Sequence, residues 1–238
     1  SHSLHGRIGQ TPAENVGVNC RWEADEYIME MHGEMHEAAL FGENLVLRRK
    51  ITTSLGAKHL TLEDEVENIG AKDQLLMLLY HINLGYPLLD KEARLIAPSV
   101  EVMPRDEAAK EGMEKYGIFI EPMDEYMEKV YYHRLACDEE GNTYAALVNE
   151  RLKLGFYVKY SIKELKHLIQ WKSMASGDYT LGMEPSNCLV GGRVAEKQRG
   201  AGEYIAPFQK KKFRLEMGVL DGQDEIHALE EKILGLGK

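Results

Sequence analysis

The feature that most limits what this chain can fold into is a succession of roughly a dozen short stretches in which apolar and polar residues alternate, with almost no helical periodicity between them. Tyr27 to His36, Leu45 to Leu55 and His59 to Val66 read as half-buried strands. So do Leu75 to Asn83, Ala93 to Met103, Lys129 to Ala136, Thr143 to Asn149, Gly155 to Ile162, His167 to Met174, Tyr179 to Glu184 and Lys212 to Leu220. Turn chemistry separates many of them, as in Asn68-Ile69-Gly70 and Glu140-Gly141-Asn142. Parallel strands need long crossovers and these connections are short, so the pattern predicts antiparallel pairing and a large all-β sandwich.

Two segments break the pattern. Asp106 to Tyr116 is polar and rich in helix formers, which predicts a short surface helix. Asp224 to Leu234 spaces Ile226, Leu229, Ile233 and Leu234 as one helical face behind an Asp N-cap, which predicts a C-terminal amphipathic helix over a sheet edge. With no internal repeat, linker or compositional break in its 238 residues, the chain is expected to be a single sandwich domain spanning 1–238.

A formal charge of −10 and the lack of any dense basic cluster beyond Lys210-Lys211-Lys212 argue against nucleic acid as a partner. No apolar run reaches the roughly 18 to 20 residues needed to cross a bilayer, so no membrane partner is expected. Three scattered cysteines, Cys20, Cys137 and Cys188, fit neither a disulfide framework nor a Cys-based zinc site, and a cytoplasmic location is expected. His32 and His36, four apart, lie about 13 Å apart along a strand, too far to share a metal. No Gly-x-Ser-x-Gly elbow supports a serine hydrolase.

Three places carry candidate chemistry. In Leu78-Leu79-Tyr80-His81-Ile82-Asn83-Leu84, the period of two puts His81 and Asn83 on one face and Tyr80 and Ile82 on the other. A satisfied core histidine and a functional one are equally compatible with that. In Gly182-Met183-Glu184-Pro185, the proline holds Glu184 extended at the end of an apolar strand. Partial burial there raises a carboxyl toward the range of a general base, whereas full exposure makes it an ordinary glutamate. The third place is the start of the chain, Leu4-His5-Gly6-Arg7 followed by Pro12-Ala13-Glu14-Asn15. Arg7, Asn83, Lys172 and Arg193 are the polar residues nearest these motifs, and Trp171 is either an aromatic face for a ligand or a core residue.

The order Leu-His-Gly-Arg, Tyr-His-Ile-Asn-Leu-Gly-Tyr-Pro, Trp-Lys and Gly-Asp-Tyr-Thr-Leu-Gly-Met-Glu-Pro-Ser-Asn resembles the aldose 1-epimerase-like proteins of the galactose mutarotase superfamily, within it a branch filed as a domain of unknown function. The resemblance extends over essentially the whole chain. It implies an antiparallel supersandwich and an isomerase of carbohydrate metabolism that interconverts sugar anomers by acid/base ring opening, with a small-molecule sugar or sugar acid as substrate and no cofactor or metal. It further implies that His81 is the general acid, Glu184 the general base, and His5 a hydrogen-bonding partner of a sugar hydroxyl. The family's aspartate some 60 positions before its base has its counterparts here in Glu128 and His133. Two departures stand out: strands that precede the His-Gly motif in the superfamily have no counterpart, so an N-terminally truncated chain is expected, and Tyr80 replaces the asparagine that precedes the second histidine.

Alternative readings are a non-catalytic carbohydrate-binding protein of the same fold, and a lyase or glycosidase with two carboxyl groups roughly 5 to 9 Å apart. The open edges of a large sheet also allow a homodimer.

Overall fold

The computed structural model describes residues 5–236. The first four residues, which carry the expectation of a truncated start and the Leu4 of the first motif, lie outside that range.

Eight strands form the larger sheet: β1 (Glu14–Glu23), β2 (Glu26–Ala38), β3 (Asn44–Ser54), β4 (His59–Asn68), β7 (Ala93–Ile96), β10 (Asn142–Asn149), β11 (Leu154–Ser161) and β15 (Lys210–Asp221). Their spatial order is β1-β2-β3-β4-β15-β11-β10-β7. Five strands form the second sheet, β6 (Ile82–Leu84), β13 (Asp178–Ser186), β12 (His167–Ala175), β9 (Lys129–Leu135) and β8 (Ser99–Pro104), in the order written. A small sheet pairs β5 (Gln74–Leu76) with β14 (Glu203–Ile205). Every pairing between these strands is antiparallel, as the alternating pattern requires.

The inner faces of the two sheets share one core. Leu45, Leu47, Leu62, Val66, Leu147, Val158, Phe213 and Leu215 come from the larger sheet, and Leu135, Leu168, Met174, Leu181 and Met183 from the smaller. Their spacing of two along each strand is the sandwich rule. Asp64 is buried on this inner face, where Arg49 donates two bonds to it (2.8 and 2.7 Å) and the Tyr80 hydroxyl donates a third at 2.8 Å. Tyr80, on the smaller sheet's side, is thereby tied across the core to the larger sheet.

Two expected strands are split. Leu75 to Asn83 becomes β5 and β6 because its two ends pair with different partners, β14 and β13. Ala93 to Met103 becomes β7 and β8, and the chain passes from one sheet to the other through Ala97-Pro98; Pro98 has no N–H to give a ladder. Helix α1 (Glu107–Glu111) is N-capped by Asp106, which accepts from the Ala109 N–H at 3.0 Å. Helix α2 (Gly192–Arg199) ends at Gly200 in the left-handed region.

Helix α3 (Gln223–Leu234) exists as expected but covers a face and not an edge. Its Ile226 and Ile233 are buried against Tyr144, Ala146 and Val148 on the outer side of β10. Each such burial contributes about 1.5–3 kcal/mol. The near-continuous apolar run of β10 is explained by this, since both of its faces are covered. Among the described residues no helix is long and apolar enough to cross a membrane.

Candidate active site

The outer face of the five-stranded sheet is built in rows fixed by register. Arg105 continues the β8–β9 ladder by donating its N–H to the Val130 carbonyl. From there Val130 lies opposite Trp171, Trp171 opposite Gly182, and Gly182 opposite Asn83. One step along, Met103, Tyr132, Ile169 and Glu184 form the next row. The pairs Leu79–Ser186 and Ile82–Met183, with the Tyr80 N–H donating to the Pro185 carbonyl at 3.0 Å, put His81 opposite Glu184. Two motifs about a hundred positions apart thus meet as one cross-strand pair, the arrangement in which antiparallel side chains lie closest.

His81 Nε2 stands 3.1 Å from Glu184 Oε1. The Glu184 side chain is 4% exposed and that of His81 27%. Despite the short approach, Oε1, which is closed off from solvent, accepts no aligned hydrogen bond. Burial, with a smaller contribution from the charge of Glu128, pushes Glu184 up to about 7. Burial first, and then the charge of His5, lower the His81 imidazole, while a hydrogen bond that the ring donates to Asn83 acts in the opposite sense. Both shifts favour the neutral forms, whereas the 3.1 Å approach of imidazole to carboxyl favours the charged ones.

Two further rings enclose the pair. His5 meets His81 edge to face at 5.1 Å between centroids, and Trp171 meets it at 5.6 Å. Gly182 lies between Trp171 and Glu184: a Cβ there would collide with Glu184 Oε1 and approach Trp171 Cβ to 3.1 Å. The missing side chain is the space in which the carboxyl folds back. Sequence reasoning passed over Gly182, although a glycine two positions before a candidate acid on the same strand face is a signal of close approach.

The other residues expected at the site divide by location. Glu128 precedes β9 on this face; its Oε2 accepts from the Trp171 indole N–H at 2.7 Å and its Oε1 from Arg105 at 3.1 Å. Arg7 pairs with Glu43 at 2.5 Å, and Arg193 on α2 approaches Glu37 at 3.7 Å. His133 and Lys172 lie on the inner face, one residue out of phase with the site. His133 is 1% exposed, its Nδ1 2.8 Å from Ser99 Oγ and its Nε2 3.0 Å from Gln170 Oε1. Burial drives its imidazole down to about 4. Lys172 donates to the carbonyls of Lys115 and Ile118 and lies over the Phe119 ring, with burial lowering its ammonium to about 8. The expectation that these two residues read sugar hydroxyls beside Glu184 is corrected by the pleat, which sends them to the other side of the sheet. Tyr80 also faces inward, so the departure from the family's asparagine falls on the core side.

The sandwich, with its paired imidazole and carboxyl, has the galactose mutarotase-like fold. More narrowly, the chain belongs to the family described as Domain of unknown function (DUF4432), whose pattern matches residues 1–219. A candidate aldose 1-epimerase from Klebsiella pneumoniae subsp. pneumoniae superposes with a TM-score of 0.94 at 25% identity, over 98% of this chain and 61% of that one. A galactose mutarotase-like protein from Clostridium acetobutylicum gives 0.64 at 14% identity, over 91% and 69%. A galactose 1-epimerase from Lactobacillus acidophilus gives 0.57 at 12%, over 87% and 67%. The chain spans 61% of the length of the Klebsiella protein. No curated protein matches the sequence.

Proposed function

We propose that this protein is an aldose 1-epimerase-like isomerase that interconverts the anomers of a free sugar or sugar acid by opening and reclosing its ring. The observation that carries the reading is the His81–Glu184 pair: an imidazole 3.1 Å from a buried carboxyl whose proton affinity is raised to about 7. Hemiacetal opening needs one proton to leave O1 as another reaches O5. A carboxyl raised to about 7 beside an imidazole held below its ordinary value supplies a base and an acid for that exchange at neutral pH. In the forward sense Glu184 takes the O1 proton and His81 delivers one to O5. After rotation about C1–C2 the carbonyl is attacked from its other face by O5, and both protons return. His5 and Asn83 flank the pair as hydroxyl partners. The indole of Trp171 offers the apolar side of a pyranose a surface to lie against.

The test is polarimetry on freshly dissolved aldoses and aldonic or uronic acids with the intact natural protein. Wild type is expected to accelerate the approach to anomeric equilibrium, and Glu184→Gln and His81→Asn to lose that acceleration. Saturable sugar binding with no acceleration for any sugar in the panel would return the site to recognition alone.

A further inference from the structure

The acid–base reading uses Glu128 at most as a hydroxyl reader, yet both of its oxygens are already taken by the protein. Oε2 holds the Trp171 indole N–H at 2.7 Å and Oε1 holds Arg105 at 3.1 Å. Arg105 is anchored in turn: its backbone N–H extends the β8–β9 ladder, and its Nε donates at 2.8 Å to Asp106, which caps α1. A continuous chain of contacts therefore runs from the cap of α1 through Arg105, Glu128 and Trp171 to the edge of the His81 ring. Arg105 and Trp171 stand in one row across the sheet with Val130 between them, and Gly182, next in that row, places no side chain between Trp171 and Glu184. An indole with its N–H bonded is held at both ends of its long axis, by its own strand and by Glu128, which is what a rigid wall of a binding site requires.

We propose that Glu128 is a positioning residue: clamped by Arg105, it pins Trp171 as the fixed aromatic wall beside His81 and presents its own negative charge to Glu184. This rests on the acid–base reading of the pair and adds to it the source of its geometry. The direction of the Glu184 shift agrees, because the charge of Glu128 adds to burial in holding the Glu184 proton. The groups facing Glu184 are His81 and, beyond it, His5 from the N-terminal segment, Glu128 and Arg105 from the ends of β9 and β8, and Tyr132 and His167 farther along the face toward Glu196 and Arg199 of α2.

NMR of the intact protein without substrate tests this. Its two tryptophans give two indole N–H signals, with exposed Trp22 as the internal reference, and carbon-13 labelling of glutamate follows the Glu184 carboxyl, assigned by its disappearance in Glu184→Gln. In Glu128→Gln the Trp171 indole proton is expected to move upfield as it loses a charged acceptor, and the Glu184 midpoint to fall. In Arg105→Gln the midpoint is expected to rise, because Glu128 loses its counter-ion. Opposite displacements by two neighbouring substitutions are not the signature of general loosening. If Glu128→Gln fails to fold, Arg105→Gln alone decides by the sign of its shift. A hydroxyl-reading Glu128 predicts instead a raised KM with both resonances unmoved, and that result would overturn the proposal. Neither signal depends on turnover, so a protein that accelerates no anomer exchange would sink the acid–base reading while leaving the brace to be judged on its own.

Discussion

Two histidines on one sheet are put to opposite uses by which way the pleat turns them. His133 on β9 faces the core, is 1% exposed, and has a partner at each ring nitrogen. His81 faces outward at the end of the sheet, half-buried among His5, Trp171 and Glu184, opposite a carboxyl oxygen with no aligned donor. Burial lowers both imidazoles, but it is His81 that has a carboxyl beside it, at 3.1 Å. The difference teaches that a chemical site on such a sheet consists of what is left unsatisfied on its open face, and that polar residues on the inner face are spent on holding the sandwich together.

The sharpest way to break the comparison is to substitute the outer pair. Glu184→Gln and His81→Asn are each expected to lower anomer exchange by roughly 10²–10⁴-fold with little change in melting temperature, since glutamine keeps the volume of the buried Glu184 and the His81 ring lies on the open face. Gly182→Ala, which forces the Glu184 carboxyl out of its recess, should cost about 10²-fold by misplacing it, and steady-state kinetics beside thermal unfolding separates that from misfolding. His133→Leu should do the reverse: about 2–3 kcal/mol of stability lost as Ser99 and Gln170 are left unpaired, read by urea unfolding, with turnover per folded molecule unchanged.

The pH dependence of stability sharpens the contrast, because the two faces carry opposite signs. Glu184 has a folded affinity raised to about 7, so the native state binds the extra proton between its ordinary range and 7; its contribution is full at low pH and is lost as pH rises through 7. His133, lowered to about 4, is full above its ordinary value near 6.5 and is lost as pH falls from there toward 4. Urea midpoints should therefore lose their decline toward pH 8 in Glu184→Gln and part of their acid sensitivity in His133→Leu. The smallest effect is expected at Lys172→Met: a buried ammonium is exchanged for an apolar side chain, stability changes by less than about 1.5 kcal/mol, and anomer exchange is unaltered. A clear rise in KM there would restore Lys172 to the site.

The sheets were legible because period two survives in a half-buried strand: β2, β4, β12 and β13 begin and end within a few residues of where alternation starts and stops. What alternation does not carry is partner choice, so the splitting of Leu75 to Asn83 between two sheets and the passage at Pro98 appear only when the chain is folded. The outer pair was legible because motif order marked His81 and Glu184, and the register then brings them opposite each other. His133 and Lys172 were misplaced for the same reason that the others were placed: Lys172 adjoins Trp171 in sequence, and adjacency in a strand means opposite faces. The parity was already available in the sequence. Arg105 and helix α2 had no such signal, since one works through Glu128 at the end of a loop and the other begins at Gly192 without a capping side chain.

The most direct test of the paired imidazole and carboxyl is saturation-transfer NMR between the two anomers of an aldose, measured from pH 5 to pH 8 on the natural protein and on Glu184→Gln. Transfer above the buffer rate that peaks near neutrality and vanishes in the variant is the predicted result. Equal transfer in both proteins across the whole range would contradict it.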